Sequence, residues 1–212
     1  MNLLDFLFPP RSDEALVRGV STDDFLTRLT PRLVPETRPG TVTLFSFGDP
    51  LVRATVHEAK YHGSSHAFEL LAAALADYLR EADDVRKPVI VPIPLGAARK
   101  KERGFNQVEE VACRALRSLG EGWGGATVDT TLLERTRETA SQVSLPRHER
   151  EENMRGAFTT TLKLRGTSPA EIAQHTYIVL DDVITTGATL QAAIDALRDA
   201  GIEHVIPLAL AH

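Results

Sequence analysis

The stretch Tyr177-Ile-Val-Leu-Asp181-Asp182-Val-Ile-Thr185-Thr186-Gly187-Ala188-Thr189-Leu190 restricts the folds open to this chain more than any other. Its β-branched start predicts a strand over Tyr177 to Leu180, with two acids at the carboxyl end. A turn of small and hydroxyl residues follows. Leu190, Ala193, Ile194 and Leu197 then recur at i, i+3, i+4 and i+7, which predicts a helix over 188–200 capped by Gly201. A strand that passes through one tight turn into a helix is the repeating unit of open α/β sheets, whose ligands sit at the carboxyl ends of the strands.

The rest of the chain fits that unit. Val89 to Ile93 is a short β-branched run bounded by prolines, and His204 to Leu210 predicts a closing strand. Thr127 to Leu133 predicts another, and Val42 to Phe47 alternates apolar and hydroxyl residues like a half-buried one. Helices are predicted over Leu51 to Lys60, over Ser65 to Ala82, and along the face carrying Val108, Ala112, Leu116 and Leu119, with Asn106 available as its cap. Strands alternating with helices from residue 85 onward predict an α/β fold, a mostly parallel central sheet with helices on both faces. Residues 1–40, rich in proline and weakly patterned apart from a helical turn near Phe25 to Leu29, read as an appendage to a domain over 41–212. Residues 134–158 hold Arg135, Arg137, Arg147, Arg150 and Arg155 with little apolar periodicity, which predicts a long mobile loop.

The turn after the acids has a definite chemistry. A helix N-terminus offers backbone N–H groups and a partial positive charge, so it suits a phosphate monoester. Gly187 lets the backbone come close, and Thr185, Thr186 and Thr189 bring hydroxyl donors. On this reading a valine at Gly187 blocks the approach of the ligand and leaves the fold intact. Asp181 and Asp182 would repel the same phosphate, so they must meet hydroxyls or a cation beside it, the layout of a sugar phosphate. A bare acidic strand end next to a helix cap is the plainer reading of two acids, but the full strand-turn-helix motif is more specific. A phospho-accepting receiver domain also carries acids at strand ends, and the Thr-Thr-Gly-Ala-Thr turn argues against it.

This stretch closely resembles the phosphoribosyl-pyrophosphate loop of type I phosphoribosyltransferases. The resemblance implies that Asp181 and Asp182 bind the ribose hydroxyls, that Thr185, Thr186, Gly187, Ala188 and Thr189 bind the 5′-phosphate, and that Mg²⁺ is held largely by substrate oxygens with the two acids acting indirectly. Further motifs resemble, in order, the ComF family linked to bacterial competence: Ala59-Lys60-Tyr61-His-Gly63, Val91-Pro-Ile-Pro-Leu95, Arg99-Lys-Lys-Glu-Arg103-Gly-Phe-Asn-Gln107, Leu133-Glu-Arg135-Thr-Arg137-Glu-Thr-Ala-Ser-Gln142, Arg147 to Asn153 and Ala157-Phe158. From about residue 51 to the end, the resemblance implies a type I phosphoribosyltransferase-like sheet. It implies a pyrophosphate site drawn from Arg99, Arg103, Arg135, Arg137 and Lys60, with Asp181, Asp182, Arg103 and Arg135 as catalytic candidates. Departure of a multiply charged pyrophosphate from an anomeric carbon needs such cations and the exclusion of water. Lys100 and Lys101 read equally well as a solvated charge run, and Lys60 as a surface lysine at a helix end.

Two classes of function follow from the resemblance. One is an Mg²⁺-dependent phosphoribosyltransferase that passes ribose 5-phosphate to a nitrogen nucleophile of unspecified identity. The other is a binding module that holds phosphoribosyl pyrophosphate while assisting DNA uptake, with single-stranded DNA or competence proteins as partners. Homodimers are common among related transferases. Leu7-Phe8-Pro9-Pro10-Arg11 resembles the lead-in to the family's amino-terminal zinc finger, but Ser12 and Ala15 stand where a Cys-x-x-Cys pair is expected, so the finger is degenerate.

Charge and cysteine content narrow the setting. Lys and Arg number 24 against 29 Asp and Glu, a net charge of −5, so no global basic field holds the chain on nucleic acid or an anionic membrane. No apolar run is long enough to span a bilayer, and the first residues carry Asp5, lack a basic start and stop at a double proline, unlike a signal peptide. Cys113 is the single cysteine; it reads as a small core residue in a reducing compartment, the cytoplasm. His57, His62 and His66 lack the acid or cysteine partners of a recognised zinc pattern. His148 lies between arginines as a possible proton donor. Trp123, in a glycine-rich loop, reads better as packing over the sheet edge than as a stacking platform.

Overall fold

The computed structural model describes residues 11–82, 85, 87–120, 123, 125–137, 154–161, 166 and 168–212. The strands are β1 (Arg32–Val34), β2 (Thr41–Phe45), β3 (Val89–Pro92), β4 (Thr127–Val128), β5 (Leu133–Arg135), β6 (Phe158–Thr160), β7 (Tyr177–Val183) and β8 (Val205–Ala211). The helices are α1 (Ser12–Val17), α2 (Thr22–Leu26), α3 (Pro50–His62), α4 (Ser65–Arg80), α5 (Ala97–Arg103), α6 (Gln107–Leu119), α7 (Pro169–Ile172) and α8 (Ala188–Asp199).

Six strands form one sheet in the order β1-β2-β8-β7-β3-β4, parallel throughout except for the β1–β2 pair. The fold is therefore α/β with a mostly parallel sheet, as the alternating pattern predicts. Period-2 alternation divides the sheet's side chains between two cores. Ile90, Ile178, Leu180, Leu208 and Leu210 pack with α3, α4 and α6 on one face, whereas Val89, Val91, Tyr177, Val179 and Ala209 pack with α8 and the β5–β6 ribbon on the other. Burial on both faces explains why these strands read as near-continuous apolar runs.

The strand predicted over Thr127 to Leu133 is divided. The main-chain N–H of Thr131 donates to Asp129 Oδ1 at 3.0 Å, an Asx turn that ends β4 after Val128. Leu133–Arg135 then leaves the main sheet and pairs antiparallel with Phe158–Thr160. Both ends of the predicted 134–158 loop are thus ordered ribbon; its centre, with His148, lies outside the described residues. Cys113 is half-buried and lines a groove with Leu116 and Trp123 instead of sitting in the core. Trp123 does pack against the core beside the sheet edge, as expected.

Residues 11–28 are tied to the helices that follow. Val17 and Phe25 are buried in the main core, with the Phe25 and Phe45 rings 5.0 Å apart. Arg11 donates through Nη2 and Nε to buried Glu58 at 3.0 and 3.3 Å, and Asp13 pairs with His57 Nδ1 at 3.1 Å. Ser12 and Ala15 are both in α1. Among the described residues no helix is long and apolar enough to cross a membrane.

Candidate functional site

Three sequence-local devices bring charged side chains to the carboxyl edge of β3 and β7. Asp49 caps α3, its Oδ1 accepting from the N–H groups of Leu51 and Val52 at 2.8 and 3.3 Å, and Gly63 ends the helix at φ 60°. Lys60 is thereby fixed in the last turn of α3. Gly104, at φ 78°, ends α5 after Arg103, and Arg99 and Arg103 share one face at i, i+4. Asn106 accepts from Val108 N–H at 3.1 Å and donates to the Ile93 carbonyl at 3.0 Å, so the start of α6 is fastened to the end of β3.

The cavity they surround holds about 500 Å³. It is lined by Asp181 and Asp182, by Lys60, Arg99, Arg103 and Arg135 with Glu102 among them, and by Thr185 and Thr189. Strand β7 runs three residues past its expected end at Leu180, to Val183, so both carboxylates rise from paired backbone opposite β8. Gly187 supplies the turn at φ 80°. A Cβ there would lie 2.7 Å from the Arg38 carbonyl oxygen, because Arg38 N–H donates to the Thr186 carbonyl at 3.2 Å and brings that segment against the turn. The tightness at Gly187 thus faces the protein's own backbone, and the expectation that valine would leave the fold intact does not survive it. Ala188 is buried and borders a second cavity, with Arg38, on the far side of the turn.

Asp182 is only 6% exposed. Its Oδ2 accepts from Lys60 Nζ at 2.6 Å and Gln107 Nε2 at 2.8 Å, and its Oδ1 from Val183 N–H at 2.7 Å. Burial opposes its ionisation, but the Lys60 charge and these hydrogen bonds outweigh burial and hold the carboxyl below its ordinary range. Among the described residues Asp181 has no such ion pair. Burial first and the Asp182 charge second push it from 3.8 up to about 7. A group whose pKa is raised by folding costs stability as pH climbs from its unfolded value to its folded one. Asp181→Asn is therefore expected to melt higher than the wild type at pH 8, by a few degrees, with the difference vanishing toward pH 4. Calorimetric melting at both pH values checks this; an equal gain at both would contradict it.

Carboxylate oxygens suit a hard cation. Among the described residues no group of three or more His, Cys, Asp or Glu is placed to hold a metal unaided. Two acids fit Mg²⁺ in the way that ion is often held, by one or two carboxylates with water and phosphate oxygens completing the shell.

Of the residues singled out from the sequence, Asp181, Asp182, Lys60, Arg99, Arg103, Arg135, Thr185 and Thr189 line one cavity. Arg135 also lies over the Phe158 ring at 5.5 Å. Arg137 is not among the lining residues; its Nη2 donates to the Arg155 carbonyl at 2.8 Å. Lys100 borders a neighbouring cavity with Glu109 and Glu110. The three clustered histidines are engaged separately: His57 with Asp13, His66 with the Val20 carbonyl, and His62 near Glu58. Sequence reasoning passed over Gln107, Phe47 and Tyr61 as site residues. Tyr61, 60% exposed, has Arg103 over its ring at 5.2 Å. The signal for Gln107 was its place four residues after Arg103 at the start of a capped helix.

The phosphoribosyl transferase domain model matches residues 63–212. The chain is 32% identical over 149 residues to the DNA utilization protein YhgH of Salmonella typhimurium, covering 66% of this chain and 58% of that protein. It is 29% identical over 136 residues to Competence protein F of Haemophilus influenzae, covering 64% and 55%, and 30% identical over 146 residues to Competence protein ComFC of Streptococcus pneumoniae, covering 69% and 56%. The matches therefore span less than two thirds of the length of each of these relatives.

Proposed function

The chain belongs to the phosphoribosyl transferase domain family, is related to the competence and DNA utilization proteins, and from that premise we propose that its cavity binds phosphoribosyl pyrophosphate with Mg²⁺ and transfers the ribose 5-phosphate to a nitrogen nucleophile. The observation that carries the reading is the meeting, in one cavity, of two carboxylates, Thr185 and Thr189 from either side of the Gly187 turn, and Lys60, Arg99, Arg103 and Arg135.

Asp181 and Asp182 accept hydrogen bonds from the ribose hydroxyls. The Thr185–Thr189 turn takes the 5′-phosphate, with Gly187 and Ala188 shaping the backbone and Thr186 bracing it through Ala188 N–H at 3.4 Å. Arg99, Arg103, Arg135 and Lys60 face the diphosphate, and Arg137 joins them only by leaving Arg155. When bound, Mg²⁺ neutralises charge developing on the departing diphosphate. The nucleophile's nitrogen bonds to the anomeric carbon as the carbon–oxygen bond breaks, and pyrophosphate leaves with the electron pair. The protein's contribution is preorganised positive charge at the leaving group, with negative charge beside the electron-poor sugar ring. Residues 41–212 supply the side chains of this function, and residues 11–40 support them through Val17 and Phe25 in the core and Arg38 against the turn.

A second reading is favoured by the names of the relatives, which concern DNA utilization and competence: the same cavity holds phosphoribosyl pyrophosphate without turnover, as a module serving DNA handling. Incubation with labelled phosphoribosyl pyrophosphate, Mg²⁺ and each of a panel of nucleobases and ammonia separates the two. Release of stoichiometric pyrophosphate with one acceptor supports the transferase; binding with none released in any mixture contradicts it and leaves the module.

A further inference from the structure

Gln107 occupies a position that none of the roles above uses. Its side chain is 5% exposed at the first turn of α6, and both ends of its amide meet charged groups. Nε2 donates to Asp182 Oδ2 at 2.8 Å, while Oε1 accepts from Arg103 Nη1 at 3.0 Å. The orientation of the amide follows from those partners. Reversing it would set its carbonyl against a carboxylate and its NH₂ against a guanidinium, with both hydrogen bonds lost. One neutral group thus joins the acid assigned to the ribose to an arginine assigned to the diphosphate.

The joint has a weak side. Asp182 Oδ2 already takes two donors, the Lys60 ammonium at 2.6 Å and the Gln107 amide. A carboxylate oxygen offers about two lone-pair sites, so a third donor at Oδ2 must replace one of these, whereas Oδ1, which takes Val183 N–H, keeps one site. The charge-assisted bond from Lys60 is the stronger, and the neutral amide yields first. Once the amide turns away, Arg103 loses the acceptor that fixes it beside Gln107, and the Tyr61 ring, 5.2 Å from the guanidinium carbon, still guides it at the cavity wall.

We propose that Gln107 is a positioning residue that couples the two ends of the cavity: a hydroxyl arriving at Asp182 Oδ2 displaces its amide and releases Arg103 to the diphosphate. The inference rests on the reading that the acids take the ribose and the arginines the diphosphate. Coupling between two ligands is reciprocal, so a diphosphate that draws Arg103 away also frees the amide and opens Asp182 to a hydroxyl. The arrangement favours the intact substrate over either half. It also keeps Arg103 and Asp182 mutually satisfied, through Gln107, when neither ligand is bound.

The two halves can be presented separately. Pyrophosphate is titrated calorimetrically into the full chain with Mg²⁺ throughout, with and without saturating ribose 5-phosphate. In the wild type, ribose 5-phosphate should tighten pyrophosphate binding by about fivefold or more, the lower range of known couplings. In Gln107→Leu, which removes the amide and keeps its bulk, the ratio should fall below about twofold, less than any such coupling. Gln107→Glu gives a second test if the leucine variant melts early: its carboxylate can still accept from Arg103 but cannot donate to Asp182, so it too should lose the ratio. A loss of packing alone would weaken each ligand without moving the ratio. Folded variants that keep the wild-type ratio, or a wild-type ratio of one with both ligands bound, would overturn the inference and leave the reading of the cavity standing. Failure of the wild type to bind either half would overturn both.

Discussion

The double variant Asp181→Asn, Asp182→Asn is expected to lose affinity for phosphoribosyl pyrophosphate by at least about 100-fold, each charged hydrogen bond to a ligand hydroxyl contributing about 1.5–3 kcal/mol. The fold should hold. An asparagine oxygen at 182 can accept from Val183 N–H or from Gln107, its NH₂ taking the place of the other oxygen, and removing two neighbouring carboxylates ends a mutual repulsion that pushes Asp181 upward. The loss of Lys60's ion pair with Asp182 acts in the opposite direction, because Lys60 is itself only 23% exposed. Equilibrium dialysis with labelled ligand, alongside a thermal melt, checks both halves of the expectation. Unchanged affinity in a folded double variant would mean that the carboxylates do not hold the ribose.

Gly187→Val is the second large effect, and it is directed at the fold as much as at the ligand. A valine at φ 80° occupies a backbone region that β-branched residues avoid, at a cost of about 1–3 kcal/mol. Its Cβ would also stand 2.7 Å from the Arg38 carbonyl oxygen and 3.1 Å from the carbonyl carbon, main-chain atoms that can retreat only if residues near Arg38 leave the turn. The hydrogen bond from Arg38 N–H to the Thr186 carbonyl would go with them. A destabilisation of about 2–4 kcal/mol is expected in urea titration, together with loss of phosphate-dependent binding. Gly187→Ala keeps the same Cβ conflict with less backbone strain, so it should fall between the valine variant and the wild type. A valine variant as stable as the wild type would show that the turn relaxes freely and that Arg38 does not brace it.

The parts of this molecule legible in the sequence are those written in consecutive residues. The run from Tyr177 to Leu190 carries its strand, its acids and its turn in one stretch, and the alternation of Ile178 and Leu180 with Tyr177 and Val179 places them on opposite faces with no outside information. Helices α4 and α6 were equally plain from spacing, and α6 also from its Asn106 cap. Short elements were not. Helix α1, at six residues, is under two turns and derives its order from contacts with α3, and β5 and β6 exist only by pairing with each other. Thr127 to Leu133 looked like one strand because propensity does not register the Asp129 turn that divides it.

The same distinction holds in the site. Asp181 and Asp182 announce themselves, but the division of their charge depends on Lys60 from α3 and Gln107 from α6, the latter 75 residues away along the chain. Sequence reasoning treated Lys60 as an isolated surface lysine or a phosphate contact; its place against Asp182 arises from the caps at both ends of α3 and the packing of that helix on the sheet. Gly187 was legible as a glycine that the turn requires, whereas the neighbour that makes it indispensable, Arg38, belongs to a segment with no readable pattern.

Calorimetric titration of the unmodified chain with phosphoribosyl pyrophosphate, with and without Mg²⁺, tests the central claim most directly. One ligand per chain, bound more tightly when Mg²⁺ is present, is the predicted result. No saturable binding under either condition, from protein that melts cooperatively, would contradict it.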